Sequence, residues 1–197
     1  MVEGEFQNKG GTNTQEADKK PTQAKCRAKN PSRKEVKCMK RLNIAYGSNL
    51  NLEQMSYRCL TAKVYGKGML RDYRLLFKGS TENAYLTIEP YKGGRVPVVI
   101  WELQPEDEKA LDFYEGYPNF YYKENVEVEL ENGEKVIAMI YIMTDKIKDR
   151  IHINLPSRRY LNVVKEGYQA AGFDSKFIDE ALDISEKAIE ENPPSFL

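Results

Sequence analysis

Asn125-Val126-Glu127-Val128-Glu129-Leu130, then Glu131-Asn132-Gly133-Glu134, then Lys135-Val136-Ile137-Ala138-Met139-Ile140-Tyr141-Ile142-Met143 reads as a β-hairpin. Two β-prone runs flank an Asn-Gly pair, the strongest short-range hairpin signal, because both residues accept the positive φ of a tight turn. Upstream, Ala62 to Lys78 reads as two strands around Lys67-Gly68, and Ala84 to Glu89 and Val96 to Glu102 add two more. Trp101 lies on the last of these and is expected in the core. Downstream, Ser157 to Ala170 is an amphipathic helix with Leu161, Val164 and Tyr168 on one face and Gly172 as its stop. Ser175 to Glu190 forms a second helix, closed by Asn192-Pro193-Pro194. Short antiparallel strands in the middle with helices to the side give an α+β fold.

Two segments outside the hairpin carry chemistry. Leu42 to Ala45 is a short buried strand that breaks at Tyr46-Gly47-Ser48-Asn49-Leu50. Such a loop either presents consecutive amides to a ligand or is an ordinary turn in which Ser48 or Asn49 caps a helix from Leu52 to Cys59. The second segment follows Gln104-Pro105-Glu106-Asp107, where Pro and first-turn acids start a helix that Gly116 and Pro118 end. Glu115 falls on its last turn, where the negative end of the helix dipole raises a carboxyl pKa. Leu111, Phe113, Tyr114, Tyr117 and Phe120 supply apolar surroundings.

Composition sets limits on the rest. The 197 residues are 41% hydrophobic, enough for one domain with a sizeable core, and 30 basic against 30 acidic residues give no overall pull toward nucleic acid. No apolar run approaches bilayer length, and the first residues lack a secretory pattern, so no membrane partner and a cytoplasmic location are expected. Residues 1–38 are polar and locally basic, and are expected to form a disordered extension ahead of a folded domain at 39–197. Cys26, Cys38 and Cys59 have no zinc-type spacing and read as reduced thiols. The 1 histidine, His152, sits among apolar residues as a core or strand residue with no metal-ligating companion. Gly66-Lys67-Gly68 and Gly93-Gly94 read as turns, since neither extends into a nucleotide-binding fingerprint.

In combination, Tyr46-Gly47-Ser48-Asn49-Leu50, Glu115 before Tyr121-Tyr122-Lys123, Tyr141-Ile142-Met143-Thr144 and Pro156-Ser157-Arg158-Arg159-Tyr160 resemble the γ-glutamylcyclotransferase-like family from Lys40 to about Phe173. The resemblance implies a small mixed, barrel-like β-sheet with flanking helices. It implies an enzyme that closes a γ-glutamyl amide to 5-oxoproline and frees an amine, with Glu115 as general acid and base. The substrate-binding set it implies is Asn43, Ile44, Ala45, Tyr46, Gly47, Ser48, Asn49 and Leu50, with Tyr122, Tyr141 and Tyr160. A small γ-glutamyl molecule is then the partner, and no metal or cofactor is required. The loop amides with Asn49 would hold either the glutamyl α-carboxylate or the developing oxyanion. A γ-glutamylamine cyclotransferase acting on γ-glutamyl-lysine side-chain conjugates, or a non-catalytic binding module, fits the same motifs.

Overall fold

Strand β1 (Arg41–Ala45) lies between two later strands, antiparallel to β3 (Asn83–Leu103) and parallel to β5 (Lys135–Met143). This computed structural model describes residues 40–80, 83–145 and 152–192. The expected extension at 1–38 lies outside the described residues, as do Cys26 and Cys38. Around the sheet the order is β3-β1-β5-β4-β2, with β4 at Tyr121–Leu130 and β2 at Lys63–Ser80. β2 also pairs with β3, which closes the sheet into a five-stranded barrel. Among the described residues β4 pairs with β2 only at Gly68 and Met69, which leaves that edge of β2 open further along the strand. The two-residue β6 (His152–Ile153) joins the outside of β2 at Lys78 and Gly79.

The hairpin at 125–143 forms as its sequence dictates, with Val128 opposite Val136 and Gly133 at φ 83°. The four separate strands expected over 62–102 are instead two long ones, β2 and β3, paired from Lys63 with Glu102 to Ser80 with Asn83. Gly66-Lys67-Gly68 and Gly93-Gly94 are not the turns their sequence suggests: the chain absorbs them as irregularities between Val64 and Gly66 and between Arg71 and Tyr73. At the second, Asp72 takes φ 61° and accepts the Gly93 amide at 2.7 Å, so the ladder bends without ending. Of the core or strand position expected for His152, the strand is the one it takes, with the side chain exposed.

Helix α2 (Pro105–Tyr114) is fixed at its start by Asp107, a buried acid that accepts from Thr61 Oγ1 at 2.6 Å, Thr61 N at 3.2 Å and Gln104 N at 3.1 Å. Along its length, Lys123 on β4 bridges Glu108 and Asp112, each at 2.6 Å. The helix therefore ends at a defined place on the barrel wall. Helix α1 (Leu52–Arg58) is capped by Asn51, whose Oδ1 accepts from Gln54 N at 3.1 Å. Helix α3 (Arg158–Ala171) is capped by Ser157 and stopped by Gly172 at φ 73°. It packs on the Ser48–Leu50 turn so tightly that a methyl group on Gly167 would fall 2.8 Å from Asn51 N. Helix α4 (Lys176–Glu191) lies on β2. Among the described residues no helix is long and apolar enough to cross a membrane.

Candidate active site

The loop after β1 is held from several sides. Trp101 Nε1 donates to Asn49 O at 3.0 Å, Tyr46 OH donates to Tyr141 O at 2.6 Å, and Tyr168 OH donates to Tyr46 O at 3.3 Å. The core tryptophan expected from sequence thus also pins the loop. Ser48 and Asn49 are buried inside a tight turn, and the helix cap that either was a candidate to supply is made by Asn51. Their side chains are left for other work. Gly47 has φ −121°, so its value is space rather than left-handed backbone. An added methyl there would sit 3.4 Å from the Tyr160 hydroxyl and 3.5 Å from Leu86 Cβ.

Glu115 is the C-cap of α2, with Gly116 at φ 63° turning the chain away immediately after it. Asn49 Nδ2 donates to its Oε1 at 2.8 Å. Burial raises the Glu115 pKa above the ordinary carboxyl value, opposed by the Asn49 hydrogen bond and then by the charge of Arg58. The sequence pointed to the same direction through the helix dipole, whereas desolvation is the leading cause in the folded protein.

These groups line one narrow cavity of about 30 Å³, together with Leu86, Tyr121, Tyr141 and Tyr160. It shares Ser48, Glu115, Tyr121 and Tyr160 with an outer cleft of about 290 Å³ whose remaining walls are Tyr85, Tyr114 and Phe120. Ser157 starts α3 in register to put Tyr160 in its first turn, where the hydroxyl accepts from Leu86 N at 3.1 Å. Burial pushes the Tyr46, Tyr121 and Tyr160 hydroxyls up, so all three are neutral donors at physiological pH. Tyr141 lines the cavity, but its hydroxyl donates to Asp112 at 2.7 Å rather than to Glu115.

Of the residues expected to bind substrate, Ile44, Ala45, Tyr46, Gly47, Ser48, Asn49, Tyr141 and Tyr160 meet at this cavity with Glu115. Asn43 and Leu50 do not line it; both are fully buried, and among the described residues neither Asn43 side-chain polar atom has a partner. Tyr122 is also elsewhere, in a separate cleft with Thr87 and Ile142. Strand parity explains this. Tyr121 and Lys123 pair with Met143 and Tyr141 and share their face of the sheet, the one α2 covers, while Tyr122 points to the opposite face. Tyr121 and Arg58 are not among the site residues expected from sequence, whereas Tyr114, expected beside Glu115, lines the outer cleft with it; the alternation at Tyr121-Tyr122 is legible in the sequence, but not which face α2 covers.

Residues 44–162, more than half of the chain, match the family described as "Gamma-glutamyl cyclotransferase, AIG2-like". The chain belongs to this family. Among curated relatives, it is 27% identical to a gamma-glutamylcyclotransferase of Homo sapiens over 159 residues, covering 77% of this chain and 79% of that one. It is 28% identical to the Bos taurus gamma-glutamylcyclotransferase over 144 residues, 69% of this chain and 74% of that one. A solved structure of a gamma-glutamyl cyclotransferase shares the fold, with a TM-score of 0.61 at 24% identity over 80% of this chain and 91% of that one. The α+β barrel with flanking helices is therefore the family's fold, and Glu115 and the Gly47-Ser48-Asn49 loop fall within the matched segment.

Proposed function

We propose that the protein is a γ-glutamylcyclotransferase in which Glu115 is the single general acid and base. The α-amino nitrogen of a γ-glutamyl amide attacks its own γ-carbonyl carbon. The new N–C bond closes the five-membered ring of 5-oxoproline, and the original amide C–N bond breaks. The Glu115 carboxylate takes a proton from the attacking nitrogen and returns it to the leaving nitrogen, which departs as a free amine. Atoms and charge balance without a metal or cofactor.

The observation that carries this reading is the placement of the Glu115 carboxyl, 2.8 Å from Asn49 Nδ2 in the cavity lined by Gly47 and Ser48. A desolvated carboxyl with a raised pKa suits a proton shuttle near neutral pH, contributing roughly 10² to 10⁴ in rate. Holding amine and carbonyl in contact supplies the larger share, with effective concentrations on the order of 10⁵ to 10⁸ M for well-oriented intramolecular attack. The Gly47 and Ser48 amides with the Ser48 hydroxyl are the donors for negative charge on the glutamyl unit. The aromatic outer cleft receives the leaving amine.

The test offers purified protein γ-glutamyl amino acids, glutathione and γ-glutamyl-lysine side-chain conjugates, and measures 5-oxoproline. Release from the α-amino acid substrates supports the reading. Release from the lysine conjugates alone makes the protein a γ-glutamylamine cyclotransferase, and no product from any of them makes the site a binding module.

A further inference from the structure

Arg58 closes α1 and makes more polar contacts than the proposed chemistry has yet used. Its Nη1 donates to Ser48 Oγ at 3.1 Å and to Asn49 Oδ1 at 2.5 Å. Its Nη2 donates to Gln54 Oε1 at 2.8 Å and to the Tyr114 hydroxyl, and the guanidinium carbon lies 3.6 Å from the centroid of the Tyr114 ring. Building on the cyclotransferase reading, we propose that Arg58 is a positioning residue for Glu115, acting through Asn49: it locks the Asn49 amide with its N–H edge toward the carboxylate and its oxygen toward the guanidinium.

An asparagine amide has two nearly isosteric orientations, and the charges on either side select between them. With Oδ1 on the guanidinium and Nδ2 on Glu115, both contacts are attractive and charge-assisted. The flipped amide would set N–H against guanidinium and oxygen against carboxylate, an arrangement that Glu115 tolerates only when protonated. Arg58 thereby favours the ionised form of Glu115 in a place where burial opposes it. The same guanidinium occupies the acceptor side of Ser48 Oγ, leaving the Ser48 hydroxyl proton free to point at a ligand in the cavity. A lysine substitutes only in part: it keeps the charge, but the contacts engage two nitrogens of a planar fork and stack on Tyr114, whereas an ammonium offers three N–H groups from one nitrogen.

The test follows 5-oxoproline release across pH for the parent protein, Arg58→Met and Arg58→Lys, with thermal unfolding of each. The expected result is a folded Arg58→Met variant with kcat lowered 10- to 100-fold at pH 7, a smaller change in KM, and an acid limb of the rate profile moved to higher pH. Arg58→Lys should move the limb in the same direction by less. A purely structural arginine would lower the folded fraction and leave the limb in place; that outcome, or kcat within twofold of the parent, overturns the proposal. If Arg58→Met does not fold, Arg58→Lys decides, in the presence and absence of Asn49→Ala. A limb shift that vanishes in the Asn49→Ala background supports action through Asn49, and an equal shift in both backgrounds overturns it. A parent inactive on every γ-glutamyl substrate removes the cyclotransferase reading and this inference together, whereas an active parent with an indifferent Arg58 removes this inference alone.

Discussion

Asn49 and Glu115, 66 positions apart in the chain, meet through a 2.8 Å hydrogen bond from Nδ2 to Oε1. The contact joins the loop after β1 to the end of α2. Each partner is held independently, Asn49 by Trp101 and Arg58, and Glu115 by the helix stop at Gly116. A carboxylate fixed in this way loses little freedom when a substrate arrives, which is the requirement for moving a proton between two nitrogens of one small molecule.

Replacing Glu115 with Gln keeps the shape and removes the proton acceptor. Turnover is expected to fall by roughly 10² to 10⁴. Binding of a γ-glutamyl substrate, followed by calorimetry, should persist within a few-fold. A variant that retains most of its rate would remove Glu115 from the mechanism.

The same substitution has a consequence for stability. Burial raises the Glu115 pKa in the folded state above its unfolded value, so the folded protein binds that proton more tightly. The stabilisation is complete below the ordinary carboxyl range and is lost as pH rises through the raised folded value. Glu115→Gln, which is never charged, is expected to melt above the parent at pH 8, with the gap closing as pH falls below the ordinary carboxyl range. Thermal melts at four or five pH values check the sign.

Asn51 and Ser48 separate folding from chemistry. Asn51→Ala removes the cap of α1 and should cost about 1 kcal/mol of stability, with little change in rate per folded molecule. Ser48→Ala should reverse that pattern, because Ser48 caps no helix and faces the cavity. Denaturant titration beside steady-state kinetics distinguishes the two.

Gly47→Val places a branched side chain between Leu86 and the Tyr160 hydroxyl, where a single methyl already reaches contact distance. The protein should fold, and both binding and turnover should be lost. Full activity in folded Gly47→Val would move the glutamyl site elsewhere.

Tyr121 and Tyr122 offer a test of which face of β4 matters. Tyr121→Phe deletes a hydroxyl that donates to Leu86 O at 2.9 Å at the edge of the cavity, at a cost of about 1 kcal/mol, and is expected to lower kcat/KM. Tyr122→Ala alters a side chain on the opposite face and should leave kcat/KM within about twofold. Parallel kinetics on the two variants suffice.

Local chemistry in the chain was enough to specify the hairpin turn at Asn132-Gly133, the start of α2 at Pro105, the stop after Glu115 and the loop at Gly47-Ser48-Asn49, because each depends on residues within a few positions of one another. The family motifs ride on those same local signals, which is why the barrel and most of the cavity residues could be named from sequence. Barrel closure is different: β2 and β3 stay paired through bends that look like turns, since the ladder and the core on Leu76, Phe77, Leu86 and Ile88 outweigh the local preference of the glycines. The exchange of Tyr122 for Tyr121 follows from which face α2 covers, fixed by Lys123 and Tyr141 reaching Asp112. Arg58 reads in sequence as one more helix-end cation, and only packing of α1 against the loop and Tyr114 brings its guanidinium to Ser48 and Asn49. Such contacts depend on long-range docking of buried faces, and neither the spacing nor the composition of a short segment contains that information.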